Sequence, residues 1–260
     1  MWCPPVVHED DRRRRPRVCL IRNGRYPDDP RSRKETLALV EAGYRVDVIC
    51  LKGDGQRLKE TVEGVTVYRI PLARRRTSIR RYFYQYGLSF VIFSVLLTCL
   101  CLRRRYRCIH VATMPDFLVF ATLIPRLLGA KVLLDLHEPT PELWQTKYGD
   151  RLRTLLRLQT RIEQSAIGYA HATITVTDEL RDRVIERGAA REKVFVVRNV
   201  CDEHIFSGQV RRPIGGRSKG LRLITHGSIE ERYGHEEIVR AVAALRDRIP
   251  HLHLQILGSG

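Results

Sequence analysis

At 260 residues the chain has room for one large or two modest domains, and its 43% hydrophobic content supplies a core and excludes disorder. A formal net charge of +17 favours an anionic partner, whether nucleic acid, an acidic membrane surface or a phosphorylated substrate, without choosing among them. The seven cysteines are odd in number, scattered and free of any C-x-x-C pair, which excludes a disulfide framework and a zinc site and points to a reducing compartment.

Residues 1–16, MWCPPVVHEDDRRRRP, have no apolar core and no small-residue cleavage site, so they read as a disordered basic tail rather than a secretory signal. Beyond them, short apolar runs alternate with longer amphipathic stretches. The strand-like runs begin at Arg17, Arg45, Val65, Cys108, Lys131, Ala172 and Lys193, each rich in β-branched residues and almost continuously apolar. Helical patterns lie between them at Lys34–Ala42, Ser78–Leu102, Phe117–Leu128, Arg151–Ala170 and Glu179–Arg187. Gly43, Gly129 and Gly188 stand where helix C-caps belong. This alternation predicts an α/β fold with a parallel sheet covered on both faces, over residues 17–200. Ligands of such a sheet bind beyond the carboxyl ends of its strands.

Residues 201–220 are polar, rich in Gly, Arg and Ser, and read as a linker. The alternation then restarts over 221–260 with LRLITHG, a helix from His235 to Arg248, and HLHLQILG. Two strands and one helix cannot cover their own apolar faces, so this stretch is expected to be the start of a second, incomplete domain in a truncated chain.

One stretch stands apart. No acidic residue occurs between Glu63 and Asp116, and arginine clusters flank the uncharged run Tyr82–Leu102 on both sides. The run is long enough to cross a bilayer, but polar residues interrupt it and the flanking charge has no inside-positive asymmetry. Crossing would also divide the sheet. The sequence disfavours spanning without excluding it and favours two other readings equally: a long helix partly in the core and partly docked on an anionic membrane surface, or an internal helix with a solvated basic rim.

Four loops carry candidate chemistry. RNGRYPDDPRSRKE places Gly24 between a strand and a helix N-terminus, where backbone can approach an anion, although an ordinary turn has the same composition. DLHEPTPE gathers Asp135, His137, Glu138 and Glu142 at a strand's end, a set suited to hydrogen-bonding sugar hydroxyls or to proton transfer. VRNVCDEHIF holds Asn199 and Asp202 at the linker junction. THGSIEERYGHEE puts Gly227 and Arg232 ahead of a helix, where a diphosphate could sit. No D-x-D, H-E-x-x-H, G-x-S-x-G or kinase motif occurs, so neither a metal site nor a cofactor is suggested.

In this order the motifs resemble family 4 glycosyltransferases of the GT-B fold, over about Arg17 to Gly260. VEAGYRVDVICL, IHVATMPDFLVFATLIPRLLGAKVLLDLHEPTPE, ITVTDELRDRVIERGAAREKVFVVRNVCDEHIF and THGSIEERYGHEEIVRAVAAL each match a family block in register. The resemblance implies two Rossmann-like domains, the first holding the acceptor and the second a nucleoside-diphosphate sugar. It implies transfer of a hexose to a lipid-linked or polysaccharide acceptor, with retention and without metal. By position, His137 would be catalytic, contacting the transferred sugar. Glu138, Glu142 and Gly24 would line the acceptor and sugar side, with Gly24 in the loop near the donor phosphates. Asn199 and Asp202 would shape the domain junction, and Gly227 and Arg232 would receive the diphosphate.

Ser228, Tyr233 and Val200 depart from the family's usual Arg, Lys and Gly. The family's donor-gripping glutamate pair is expected beyond Gly260, so the 260 residues alone would lack part of the donor site. The expected location is cytoplasmic, peripheral at the inner face of the plasma membrane, with no specific nucleic-acid partner. The alternatives are a nucleotide-sugar epimerase of the same fold and a non-catalytic remnant that binds a membrane or a partner subunit.

Overall fold

The computed structural model describes residues 15–72, 79–138, 141–142, 153–201, 220–230 and 233–258. Residues 1–14 of the basic tail, most of the 201–220 linker, and the sites Asp202 and Arg232 lie outside the described residues. The chain divides into two compact units, Met1–Asp202 and Glu203–Gly260.

The first unit is built on one eight-stranded sheet in the order β3-β4-β2-β1-β5-β6-β7-β8. Its strands are β1 (Arg17–Arg22), β2 (Arg45–Leu51), β3 (Lys59–Val62), β4 (Val65–Ile70), β5 (Cys108–Ala112), β6 (Lys131–Leu136), β7 (Ala172–Thr175) and β8 (Val194–Val196). The apolar runs form these strands because a sheet covered on both faces has no polar side to show. Leu20, Ile21, Val48, Ile49, Ile109, Val111 and Leu134 are fully buried. Seven of the strands run parallel, and β3 pairs antiparallel with β4.

The parallel-sheet expectation omitted β3. Its sequence KETV is short and polar, as an edge strand can be, and it joins β4 through Glu63 and Gly64, both at positive φ (52° and 82°). Two left-handed residues match the twist of a tight hairpin.

Helix α1 (Pro30–Glu41) begins four residues earlier than its periodicity predicts. Pro30 fits the first turn, where no N–H partner is needed, and the Asp29 side chain accepts from Ser32 N at 2.9 Å. Gly43 closes it at φ 87°, with Tyr44 N donating back to Leu39 O at 2.9 Å.

Helix α2 (Ile79–Arg104) connects β4 to β5. Its inward face buries Ser89, Phe93, Leu97, Leu100 and Cys101, and Phe93 and Leu97 are completely covered. Burying two such side chains contributes about 1.5–3 kcal/mol each. Among the described residues α2 is the one helix long and apolar enough to cross a membrane. Here it lies against the sheet whose strands it connects.

The expected helix Phe117–Leu128 is instead a 3-10 segment, Asp116–Thr122, running into the short helix α3 (Leu123–Leu127). Pro125 lacks the N–H that an uninterrupted helix from Phe117 would need at that point. It is harmless in the first turn of a new helix. Helices α4 (Arg153–Tyr169) and α5 (Asp178–Glu186) also belong to this unit, the latter capped by Thr177 Oγ1 accepting from Leu180 N at 3.1 Å.

The second unit pairs β9 (Arg222–His226) and β10 (His253–Leu257) in parallel around α6 (His235–Leu245). Leu223, Ile224, Val239, Ile256 and Leu257 are exposed in it.

Candidate functional site

Strand order reverses at β1. Helix α1 carries the chain from β1 to β2 on one side, and α2 returns it to β5 on the other. A crevice at the carboxyl ends of β1 and β5 follows from this topology, and β6 lies next to it.

The loop leaving β1 is held from several directions. Arg22 donates to Asp29 Oδ2 at 2.6 Å and to Ser32 Oγ at 3.0 Å. Gly24 O accepts from Leu51 N at 2.8 Å, and a Cβ on Gly24 would lie 2.8 Å from the Arg22 side chain. Tyr26 is fully buried, with its hydroxyl 2.8 Å from Thr36 Oγ1. Burial works to raise the Asp29 pKa, but the Ser32 N–H and the Arg22 charge outweigh it and hold the carboxyl below its ordinary value. Beside this loop an open groove of about 800 Å³ is lined by Arg22, Gly24, Arg25, Asp29, Lys52 and Asp54. Its charges are mixed, which suits a polar, hydroxyl-bearing ligand.

Behind the loop lies a group of four side chains, of which His110 and Asp135 are buried and Glu35 and His137 partly buried. His110 on β5 has Nε2 3.2 Å from Asp135 Oδ2 on β6. His137, just past β6, brings its own Nε2 into a close hydrogen bond with the same Oδ2. Glu35 of α1 lies with Oε2 3.7 Å from His110 Nε2. Thr113 fixes the strand ends: its hydroxyl donates to Asp135 O at 3.0 Å and accepts from His137 N at 3.2 Å.

The electrostatics follow from this packing. Burial pushes Glu35 up to about 7; Asp135 adds to the rise and His110 opposes it. Burial also works against ionised Asp135, but hydrogen bonds with His110 and His137 hold it at about 2. For His110 burial favours the neutral ring, and the bond to Asp135 with the Glu35 charge reverses that and raises its pKa. Glu35, His110 and Asp135 bring one possible metal-ligand atom each within 4.8 Å of one another. If His110 donates Nε2–H to Asp135, that nitrogen has no lone pair for a cation, and the trio is a proton-bearing network.

Of the residues singled out by sequence, the structure brings His137 and Asp135 together and sets Gly24 on the groove. Glu138 is exposed at the same strand end. The Glu142 carboxylate is engaged by Arg183 at 3.0 Å and by Arg187, which also holds buried Glu163 at 2.9 Å. Asn199 is exposed past β8. In the second unit Gly227 follows β9 at φ 138°, and its N–H donates to Leu257 O at 3.0 Å. Gly234 caps α6 at φ 65°, and the first turn of that helix holds Glu236 and Glu237. These two acids already complement the helix dipole there.

Sequence reasoning missed Glu35 and His110. His110 left one trace: it is the only charged-capable residue in CIHVA, a strand with no exposed face, and a buried polar group there requires a partner. Glu35 left none, because its place beside β5 is set by how α1 packs.

Residues 29–200 match the family model described as "Glycosyl transferase 4-like domain". No curated protein sequence matches the chain. Among solved structures, sucrose-phosphate synthase from Thermosynechococcus elongatus superposes with a TM-score of 0.67 at 16% identity, over 93% of this chain and 62% of that one. The catalytic domain of starch synthase IV from Arabidopsis thaliana, bound to ADP and acarbose, gives 0.58 at 14% identity, over 94% and 68%. Anabaena HepE, in complex with UDP and glucose, gives 0.56 at 12% identity, over 94% and 61%. The chain thus spans less than two thirds of the first of these structures, and at these identities the likeness concerns the fold, which is GT-B and Rossmann-like.

Proposed function

Because this chain belongs to the glycosyl transferase 4-like family, we propose that it serves a glycosyltransferase that moves a hexose from a nucleoside-diphosphate sugar to a lipid-linked or polysaccharide acceptor. The observation that carries the reading is His137, partly buried at the exit of β6 and fixed through Nε2 by Asp135 beside the switch-point crevice. The proposed role of His137 is to hydrogen-bond the transferred sugar and orient its reacting carbon. The groove beside Gly24 would take the acceptor, and Gly227 with Arg232 the diphosphate. Complexes of structural relatives with a nucleoside diphosphate, UDP with glucose in one and ADP with acarbose in another, support the donor class. Transfer is proposed to retain anomeric configuration and to need no metal, since charge on the leaving diphosphate would be met by backbone N–H groups and arginine.

A peripheral membrane location at the cytoplasmic face forms part of the proposal. On α2, Tyr84, Val91, Val95 and Leu102 form one exposed stripe opposite the buried face. Helix α3, which packs beside α2, exposes Leu123, Ile124 and Leu127. Exposed Arg103, Arg105 and Arg107 follow the stripe. An apolar surface bordered by arginine suits a bilayer with anionic headgroups.

The test is transfer of label from radiolabelled nucleotide sugars into lipid-extractable or polymeric product, by the protein incubated with membranes. Transfer that survives a chelator, keeps the donor's anomeric configuration and falls about 100-fold in His137→Ala supports the reading. Product formed equally well by His137→Ala, or no product from any donor, rejects it.

A further inference from the structure

We infer that His110 and Glu35 are positioning residues for His137, acting through the single carboxylate oxygen, Asp135 Oδ2, that the two histidine rings share. Two imidazole nitrogens converge on that oxygen, His110 Nε2 at 3.2 Å and His137 Nε2 more closely. An oxygen with two donors divides its charge between them, so a change at one bond is felt at the other. Glu35 approaches the same His110 nitrogen as Asp135, with Oε2 3.7 Å from Nε2, and this buried Oε2 has no hydrogen-bond partner among the described residues. Ionised, Glu35 competes with Asp135 for the His110 proton. Neutral, it releases that proton to Asp135 and weakens the hold of Asp135 on His137.

The chain of contact therefore runs from α1 through β5 to the exit of β6. It leaves Nδ1 as the His137 ring nitrogen not committed to Asp135. The charged groups around it are Asp29, Arg31 and Glu35 at the start of α1, His110 on β5, and Asp135 and His137 on β6 and its exit.

The inference rests on the proposed part of His137 in sugar transfer, and its test needs no sugar nucleotide. The whole protein, labelled with ¹⁵N in histidine and ¹³C in glutamate carboxyls, is titrated by NMR across the range around pH 7 where Glu35 ionises. The His137 ring nitrogens are expected to show an inflection at the Glu35 midpoint. That inflection disappears in Glu35→Gln and shrinks at least about twofold in His110→Gln. A merely structural role for either residue would change thermal stability and leave the His137 ring signals alone. His137 signals that superimpose in wild type and Glu35→Gln overturn the inference. If the variants do not fold, wild type alone decides: a shared midpoint supports the coupling, and separate midpoints overturn it. A coupled ring together with full transfer activity in His137→Ala would reject the functional reading and leave the coupling standing.

Discussion

Arg22, the last residue of β1, holds the carboxylate of Asp29, the residue that caps α1, at 2.6 Å, and so closes the loop that carries Gly24. Both side chains are about four-fifths buried, so the pair is shielded from solvent and also joins a hydrogen bond to Ser32. Arg22→Ala is expected to cost about 1–3 kcal/mol and to loosen the wall of the groove. Urea denaturation measures the first effect, and faster amide exchange confined to the loop and the first turn of α1 measures the second. Exchange that rises evenly across the sheet would contradict this local role.

The buried carboxyl–imidazole network sets a pH dependence whose sign can be worked out. Glu35 is raised from 4.5 to about 7, so the folded state binds its proton more tightly than the unfolded state does. That stabilisation is complete below pH 4.5 and is lost as pH rises through about 7. His110, also raised, loses its contribution in the same direction. Asp135, lowered from 3.8 to about 2, behaves oppositely: its contribution is present above 3.8 and is lost as pH falls through about 2. Thermal stability is therefore expected to be greatest in mildly acidic buffer and to decline toward pH 8, by about 3 kcal/mol from Glu35. Melting curves of Glu35→Gln should show a shallower decline. An identical pH slope in the variant would contradict the assignment.

Asp47 is the structural counterpart of that network. It lies on β2, is almost wholly buried, accepts from Arg104 at 2.9 and 2.8 Å and from the Tyr106 hydroxyl at 2.7 Å, and has Arg17 3.7 Å away. The end of α2 is thereby pinned under the sheet. Asp47→Ala strands the arginine and the hydroxyl and should cost about 3–5 kcal/mol, whereas Asp47→Leu combined with Arg104→Met should cost clearly less. Chemical denaturation of the three proteins separates loss of a partner from loss of charge.

Membrane docking, if it uses the stripe on α2 and the outer face of α3, should fall about tenfold or more in Val95→Glu with Leu127→Glu. Both residues are exposed, at 59% and 78%, so the folded state should barely notice. Sedimentation with vesicles containing anionic lipid measures binding, and high salt should weaken what remains. Unchanged sedimentation of the double variant would remove this face from consideration.

The parallel core was legible because continuous apolar runs rich in β-branched residues suit strands buried on both faces, and all seven runs became strands within two residues of their predicted ends. KETV was not legible: four mostly polar residues form a strand only because β4 offers an edge and Glu63–Gly64 supplies the turn. The start of α1 was missed although Asp29-Pro30 is a cap signal, since apolar periodicity begins later. At the site, His137 announced itself at a strand's end beside carboxylates. Glu35 lies 100 residues before Asp135 in the chain, and its proximity to His110 exists only after the sheet has formed.

Strand order also dictates a sequence of events during synthesis. The middle strand β1 pairs with β2 on one side, and its other side waits for β5, whose residues 108–112 are made long after residues 17–22. Until then the nascent half-sheet β3-β4-β2-β1 leaves along β1 an open edge of unpaired backbone N–H and C=O groups, and α2 leaves the ribosome with its inward face, Phe93 and Leu97, still uncovered. The interval between completing β4 and completing β5 is the period in which this protein most needs a chaperone or a surface to shelter it.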